Sequence, residues 1–470
     1  MIASAAKYRS FSVVFVLLST FVYYYIGYPL VRTDVALLIS LYGIAFACFF
    51  GLIRLEKTHF FTLAGIAIAF RLVFAGSIPN LSQDFYRFIW DGRMLVEGWN
   101  PYLYVPNDLM ASGTAPIAEA QELWQGMGDL SASHYTNYPP INQLCFAIAG
   151  LFAGKSILGS VIILRILIIL ADIGTLYFGK KLLTRLGLPV HHIWLYILNP
   201  FIIMELTGNL HFEGVMIFFL VWSLYLLHKG SWKLAAVVLA FSVSVKLIPL
   251  IFLPLFFQWF TKHKASQISK QTVPIIWKGM LKLLAFYGIV LVTILVLFLP
   301  FLSEAFFENY QKTVSLWFQN FEFNASLYYI ARWIGYETVG WNLIREIGSI
   351  TPIVVLIFVA GISLYRDNSS FQKTITACLF GLSFYFFSTT TMHPWYLATL
   401  LILSIFTHYR FTLVWSFMII FSYTAYQNER YAEHLGFVAF EYVVVYAFLV
   451  YELFLRKEKK EKNLTVAQTN

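Results

Sequence analysis

FSVVFVLLSTFVYYYIGY, residues 11–28, is an unbroken run without a charged side chain. A helix needs about 20 mainly apolar residues to cross a bilayer. Similar runs recur along the 470 residues, of which 59% are hydrophobic and only 12% charged, with a mean hydropathy of +0.70. The sequence therefore predicts an all-α polytopic membrane protein. The first run is rich in aromatic residues and lacks a small-residue cleavage pattern, so we expect a retained span and not a signal peptide.

The basic residues predict the orientation. Lysines and arginines collect in short segments between the apolar runs, and such segments favour the cytoplasmic side. About 14 crossings place them on one face, with both termini in the cytoplasm. The predicted spans are 11–29, 34–53, 58–78, 158–179, 190–207, 212–228, 232–245, 247–260, 281–302, 347–365, 374–390, 394–408, 411–427 and 436–455. One transmembrane domain, 1–455, is then followed by a basic cytoplasmic tail, 456–470.

Two long segments fall on the outer face in this topology, 79–140 and 303–346. Residues 141–154 are apolar but too short to cross a hydrocarbon layer of about 30 Å. Counting them as a span would also move the next basic segment to the wrong side. We therefore expect 141–154, and likewise 324–334, to form interfacial or re-entrant helices on the outer face.

Lys246 separates two half-length apolar runs, 232–245 and 247–260. This pattern predicts a broken hairpin with a lysine at its tip near the outer leaflet. Irregular backbone at membrane depth is tolerated only where it is buried in protein or lines a cavity.

Charged residues lie just beyond the apolar run that ends near Ile78. Asp84 and Asp91 are seven residues apart and share one helical face. Arg87 and Asp91 have the i,i+4 spacing of a structural ion pair, which leaves open whether this pair binds substrate or anchors an interfacial helix. Asp84 has no such partner, and we predict a functional role for it.

Further candidate site residues stand at the ends of other apolar runs. A structural role as turn, cap or buried side chain remains open for each of them. Together with Arg87 and Asp91, the predicted substrate-binding residues are Tyr138, His211, Glu213, Lys246 and His393. Within the spans, Arg71, Arg165 and Asp172 are costly in lipid and should face a partner, the bundle interior or an aqueous cavity.

The cysteines and the net charge exclude other classes of site and partner. Cys48, Cys145 and Cys378 are scattered through apolar segments, so neither a disulfide framework nor a metal site is indicated. We predict no metal and no cofactor. The net charge of +9 follows from basic cytoplasmic loops, and we expect no nucleic-acid partner.

Several motifs, taken in order, resemble a known class of membrane enzyme. The similarity covers roughly residues 60–260 well and extends more loosely to FEFNASLYYIARW and HPWYL. The motifs are DFYRFIWDGRMLVEGWNPY, YPPINQLCFAIAG, RILIILADIGTLYFGKKLLTRLG, LNPFIIMELTGNLHFEG and SVKLIPLIFLPLFF. On these residues the chain resembles the polyprenol-phosphate-dependent mannosyltransferases of the GT-C class, in their bacterial branch and more distantly the eukaryotic glycosylphosphatidylinositol mannosyltransferase.

The resemblance implies a GT-C fold in the bacterial cytoplasmic membrane, with the active site facing outside. It implies a sugar donor carried on polyprenyl phosphate and a glycan or lipid-linked acceptor. The family's key acidic residue matches Asp84. A base must remove the proton of the acceptor hydroxyl, and the leaving phosphate needs cations, for which Lys246, Arg71 and Arg165 are candidates. An inverting single displacement is the simplest mechanism.

Two other functions remain open from the residues alone. A lipid-linked glycan ligase or polymerase also uses sugars on lipid carriers outside the cell. A transporter or flippase shares the spans and intramembrane charges, but more often has internal repeats, and we find no clear similarity between the two halves.

Overall fold

The fold is described from a computed structural model that covers residues 2–262, 277–428 and 432–456. Most of these residues are helical. The extended structure among them is one isolated β-bridge, between Phe323 and Thr391. The predicted all-α membrane fold is confirmed. The predicted tail 456–470 lies outside the described residues except for Arg456.

The α-helices follow one another with short connections. In the first half of the chain they are α1 (Ile2–Gly27), α2 (Val35–Glu56), α3 (Phe60–Leu72), α4 (Asp84–Val96), α5 (Pro106–Ala111), α6 (Ala120–Ala132), α7 (Pro140–Ala153), α8 (Ile157–Arg185), α9 (Trp194–Ile197), α10 (Pro200–Ile202) and α11 (Glu213–Lys229). In the second half they are α12 (Trp232–Val243), α13 (Phe257–Lys262), α14 (Trp277–Phe298), α15 (Glu304–Gln319), α16 (Leu327–Val339), α17 (Ile344–Tyr365), α18 (Phe371–Ser388), α19 (Leu397–Ile405), α20 (Phe411–Met418) and α21 (Leu435–Val450).

Tighter or wider helical turns join these helices. The 3₁₀ segments are Pro101–Leu103, Val190–Ile193, Ile248–Phe256, Leu299–Phe301, Pro394–Tyr396 and Ile419–Gln427, and the π-helical segments are Ile203–Gly208 and Tyr451–Leu455. Several of the 3₁₀ segments contain proline, which lacks an N–H and cannot continue a regular α-helical ladder.

Six helices in the described part of the chain are long and apolar enough to cross a membrane. They are Ser10–Gly27, Val35–Glu56, Ile157–Arg185, Trp277–Phe301, Ile344–Tyr365 and Leu435–Leu455. The pair Pro200–Gly208 and Glu213–Lys229, bent by 116°, could form a seventh. The other predicted spans correspond to shorter or broken helices, so the count of 14 stays a prediction.

The predicted break at Lys246 is present. Helix α12 ends at Val243, and the next helical segment, Ile248–Phe256, is a 3₁₀ helix that starts with proline at its second position. Lys246 therefore lies between two short apolar segments, in the irregular stretch that the sequence indicated. Residues 141–154 also form a short helix as expected, since α7 has 14 residues.

Close packing of α4 on α7 fixes the position of the first residues of both helices. A Cβ atom on Gly92 would lie 2.1 Å from the backbone oxygen of Phe146, so only glycine allows this approach. At the N-terminus of α7, the N–H of Ile141 donates to the backbone oxygen of Ser244 at 2.9 Å. This contact brings the start of α7 next to the break that contains Lys246.

Candidate active site

Asp84 is the first residue of α4, directly after the polar stretch that follows α3. Its N–H donates to the hydroxyl of Ser82 at 3.3 Å. A carboxylate in the first turn is favoured by the partial positive charge of a helix N-terminus. Asp84 is partly buried, between the exposed Gln83 and the buried Phe85, and so lies at an edge of the core.

Glu213 and Lys246 form an ion pair beside Asp84. Lys246 Nζ lies 2.6 Å from Glu213 Oε1; the Glu213 side chain is fully buried and that of Lys246 is 19% exposed. Glu213 is the first residue of α11, Lys246 lies three residues after the end of α12, and these two helices pack extensively against each other. The lysine also lies about 6 Å from two phenol rings, at 6.0 Å from Tyr138 and 5.9 Å from Tyr396.

The surroundings of Asp84 raise the pKa of its carboxyl to about 6. The main cause is burial, which disfavours the charged form, and the negative charge of Glu213 acts in the same direction. The positive charges of Lys246 and Arg32 act in the opposite direction. A carboxyl with this pKa is mostly ionised at neutral pH and yet is a stronger base than an exposed aspartate.

Two imidazole rings stack with one indole near Lys246. The ring of His211 stacks on Trp395 with centroids 3.7 Å apart, and His393 stacks on Trp395 at 4.6 Å. Burial, together with the charge of Lys246, lowers the pKa of His393 to about 3. His393 is therefore neutral, and a neutral imidazole can both donate and accept a hydrogen bond to a sugar hydroxyl.

A segment of the second predicted outer loop covers His393. Phe323 accepts a hydrogen bond from the N–H of Met392 at 2.8 Å and donates its own to Thr390 at 3.1 Å. The ring of Phe323 lies 5.3 Å from that of His393. The two segments FEF and TTTMH are thus joined, and the histidine is fixed between aromatic side chains.

Arg87 and Asp91 are brought close to this cluster but are occupied by each other. Arg87 Nε donates to Asp91 Oδ1 at 2.8 Å, and both side chains are almost completely buried. The other oxygen of Asp91 accepts a hydrogen bond from Gln143 at 3.1 Å, and Arg87 also donates to the backbone oxygen of Ser131 at 2.6 Å. These contacts join α4, α6 and α7 and fit the structural role that the i,i+4 spacing left open, so the substrate-binding roles of Arg87 and Asp91 stay predictions.

The arginines of the predicted spans are also occupied by protein groups. Arg71 Nε donates to Asp172 at 2.7 Å, and Arg165 donates to the backbone oxygens of Thr207 at 2.9 Å and Gly208 at 3.1 Å. Both arginines are buried, and their hydrogen bonds join α3 to α8 and α8 to the π-helical segment Ile203–Gly208. Their roles as phosphate ligands stay predictions.

Arg32 is a site cation that sequence reasoning missed. It lies between α1 and α2, and its guanidinium carbon is 4.0 Å from the centroid of the Tyr426 ring. Its charge acts on Asp84. The available signal was its position in a short connection that the topology already placed on the same face as Asp84. Trp395 was likewise passed over, although it stands two residues after His393.

Comparison with known proteins supports the mannosyltransferase resemblance. The family model for the alpha-(1->6)-mannopyranosyltransferase N-terminal domain matches residues 19–263 of the sequence. The family model for the mannosyltransferase (PIG-M) family matches residues 207–457. Alpha-(1->6)-mannopyranosyltransferase A of Corynebacterium glutamicum is 25% identical over 359 residues, which cover 71% of this chain and 68% of the relative. The protein of the same name from Mycobacterium tuberculosis is 21% identical over 206 residues, 43% of this chain and 37% of the relative.

These matches, with the apolar helices, define a membrane glycosyltransferase. The first family model covers just over half of the chain, and the protein belongs to the alpha-(1->6)-mannopyranosyltransferase family. The resemblance seen in the sequence is thereby confirmed.

Proposed function

We propose that this protein transfers a mannosyl residue from a polyprenyl-phosphate donor to a hydroxyl group of a glycan or lipid-linked acceptor. The reaction takes place on the extracytoplasmic face of the bacterial inner membrane, and both termini are cytoplasmic. The observation that carries the proposal is Asp84, whose pKa is raised to about 6, beside the Glu213–Lys246 pair.

Asp84 acts as the general base. As the acceptor oxygen attacks the anomeric carbon, its proton passes to the Asp84 carboxylate. The bond from the anomeric carbon to the phosphate oxygen breaks, and the electron pair leaves with the polyprenyl phosphate. Because attack and departure occur on opposite faces of the sugar in one step, the anomeric configuration is inverted.

Lys246 and Arg32 stabilise the phosphate as it leaves. Lys246 has three N–H donors, of which the contact with Glu213 uses only part. In a site from which most water is excluded, such cations stabilise developing negative charge strongly. In this proposal Glu213 keeps Lys246 in place, and His211, His393 and Tyr138 contact sugar hydroxyls.

The test is transfer by the purified protein. The protein in detergent micelles is incubated with polyprenyl-phosphate [¹⁴C]mannose and a mannose oligosaccharide, and the same preparation from a strain that lacks the gene is the control. We expect labelled oligosaccharide only when the protein is present, and the anomeric configuration of the transferred mannose should be opposite to that in the donor. Labelling from a nucleotide sugar with none from the lipid donor would contradict the proposal.

A further inference from the structure

A groove on the predicted outer loop shares no lining residue with Asp84, Glu213 and Lys246, which we call the Asp84 cluster. It has a volume of about 680 Å³ and is formed by α5, α6 and Ser133, the residue that follows α6. Its lining combines amides, a carboxylate and an indole, among them Asn107, Gln121, Trp124 and Asp129. None of the roles proposed for the Asp84 cluster uses these residues.

The groove is built so that one aromatic ring is fixed in its wall. Trp124 Nε1 donates to Asn107 Oδ1 at 2.7 Å, which joins α6 to α5 and holds the indole in place. The Trp124 side chain is half-buried, whereas Gln121 and Asp129 are exposed. The groove therefore presents a fixed apolar surface with hydrogen-bonding groups around it.

The chemistry of the lining indicates a neutral glycan. Pyranose rings have an apolar face of C–H groups, which pack on aromatic rings, and a rim of hydroxyls, which bond to amides and carboxylates. The lining contains one carboxylate and no cation, which disfavours an anionic ligand such as a lipid phosphate. Its polar amides also disfavour a hydrocarbon chain.

The groove wall is attached to the helix that begins at Asp84. Gln83 Nε2 donates to the backbone oxygen of Met127 in α6 at 3.1 Å. Arg87, one turn along α4, donates to the backbone oxygens of Ser131 at 2.6 Å and His134 at 3.0 Å, on either side of Ser133 in the groove lining. A chain bound in the groove is thus held at a fixed position relative to Asp84.

We propose that this groove, which we call the α5–α6 groove, binds the glycan part of the acceptor at sugar units other than the one that carries the reacting hydroxyl. This inference rests on the proposed function, because it assigns an acceptor to the same enzyme. It predicts that long acceptors are used with a lower KM than short ones, and that this difference depends on Trp124.

The experiment compares Trp124→Ala with Trp333→Ala, a tryptophan of α16 that is 62% exposed and outside the groove. Binding of α-(1→6)-linked mannotetraose to the purified full-length protein is measured by calorimetry without donor. Transfer is then measured with mannotetraose and with methyl mannoside. We expect Trp124→Ala to raise the Kd and the KM for mannotetraose about tenfold, with kcat and the methyl mannoside KM unchanged, and Trp333→Ala to change nothing.

A second variant guards against a folding defect in the first. Gln121 is exposed and lines the groove, so Gln121→Ala should weaken mannotetraose binding without disturbing the packing of α5 on α6. Wild-type affinity in both variants, or no binding of mannotetraose to the wild type, would overturn the inference. Binding that depends on Trp124 in a protein without transfer activity would refute the proposed function and support the groove.

Discussion

Replacing Lys246 by Met tests whether this lysine binds the donor or only neutralises Glu213. The two side chains are 2.6 Å apart, and the carboxylate of Glu213 is fully buried. Met is similar in length but uncharged, so the substitution leaves the Glu213 carboxylate without its cation. We expect two separable effects, a loss of stability and a weaker use of the donor.

The two effects differ in their response to a second substitution. Removing one partner of a buried ion pair costs about 3–5 kcal/mol, because the other charge stays desolvated. Lys246 is 19% exposed, which admits water and places the expected loss near the lower end of that range. Lys246→Met combined with Glu213→Gln removes both charges and should recover most of the stability. A hydrogen bond to a charged group contributes about 1.5–3 kcal/mol, so the donor KM should rise about 10- to 100-fold in both variants.

Thermal unfolding in detergent micelles measures the first effect, and donor titration at saturating acceptor measures the second. Lys246→Arg, which keeps the positive charge, is the control and should retain most of the donor affinity. A double variant that recovers its stability and also has the wild-type donor KM would refute the reasoning and leave Lys246 with a structural role only.

Three further predictions concern the pH dependence, the topology and the buried ion pair. The base must be ionised, and the pKa of Asp84 is about 6. We therefore expect kcat/KM to fall tenfold per pH unit below pH 6 and to level off above it. A profile that is flat down to pH 4.5 would exclude a base with this pKa. A cysteine introduced at Ser112, which is exposed and lies in segment 79–140, should react with an impermeant thiol reagent added to intact cells. A cysteine introduced at the exposed Thr184 should react only after lysis. The reverse pattern would place the site in the cytoplasm. Asp91→Asn should lower the free energy of unfolding by about 3 kcal/mol, because the buried Arg87 loses its counter-charge. The correctly folded fraction should keep most of its turnover. Lost turnover at unchanged stability would indicate that Asp91 acts in the reaction.

The class of fold and the position of the candidate site residues along the chain could be predicted from the sequence. Apolar runs predict helices, the lack of an i,i+4 partner singles out Asp84, and the cost of a charge in lipid marks Lys246 as a residue that needs a partner or a function. The break at Lys246 followed from the length of the two apolar runs on either side of it.

The pairing of these charges could not be predicted, because it depends on contacts between distant segments. Glu213 is 33 positions before Lys246, and the second partner of Asp91 is Gln143, 52 positions away. The cost of desolvation means that a buried charge requires a partner, but the sequence pattern does not indicate which residue that partner is. For the same reason Arg71 could not be distinguished from Lys246 until its contact with Asp172 was seen. The count of 14 spans stays a prediction, because several of the short apolar runs form short or broken helices.

Single-turnover transfer by Asp84→Asn tests the central claim most directly. Asn is nearly isosteric with Asp and keeps the helix start, so folding and membrane insertion should survive, and donor binding should be unimpaired because a negative charge near the phosphate is removed. A general base contributes typically about 10²–10⁴-fold, and we expect the rate of the chemical step to fall by that factor at matched amounts of folded protein. A rate close to that of the wild type would contradict Asp84 as the base and would transfer that role to Glu213 or Asp91.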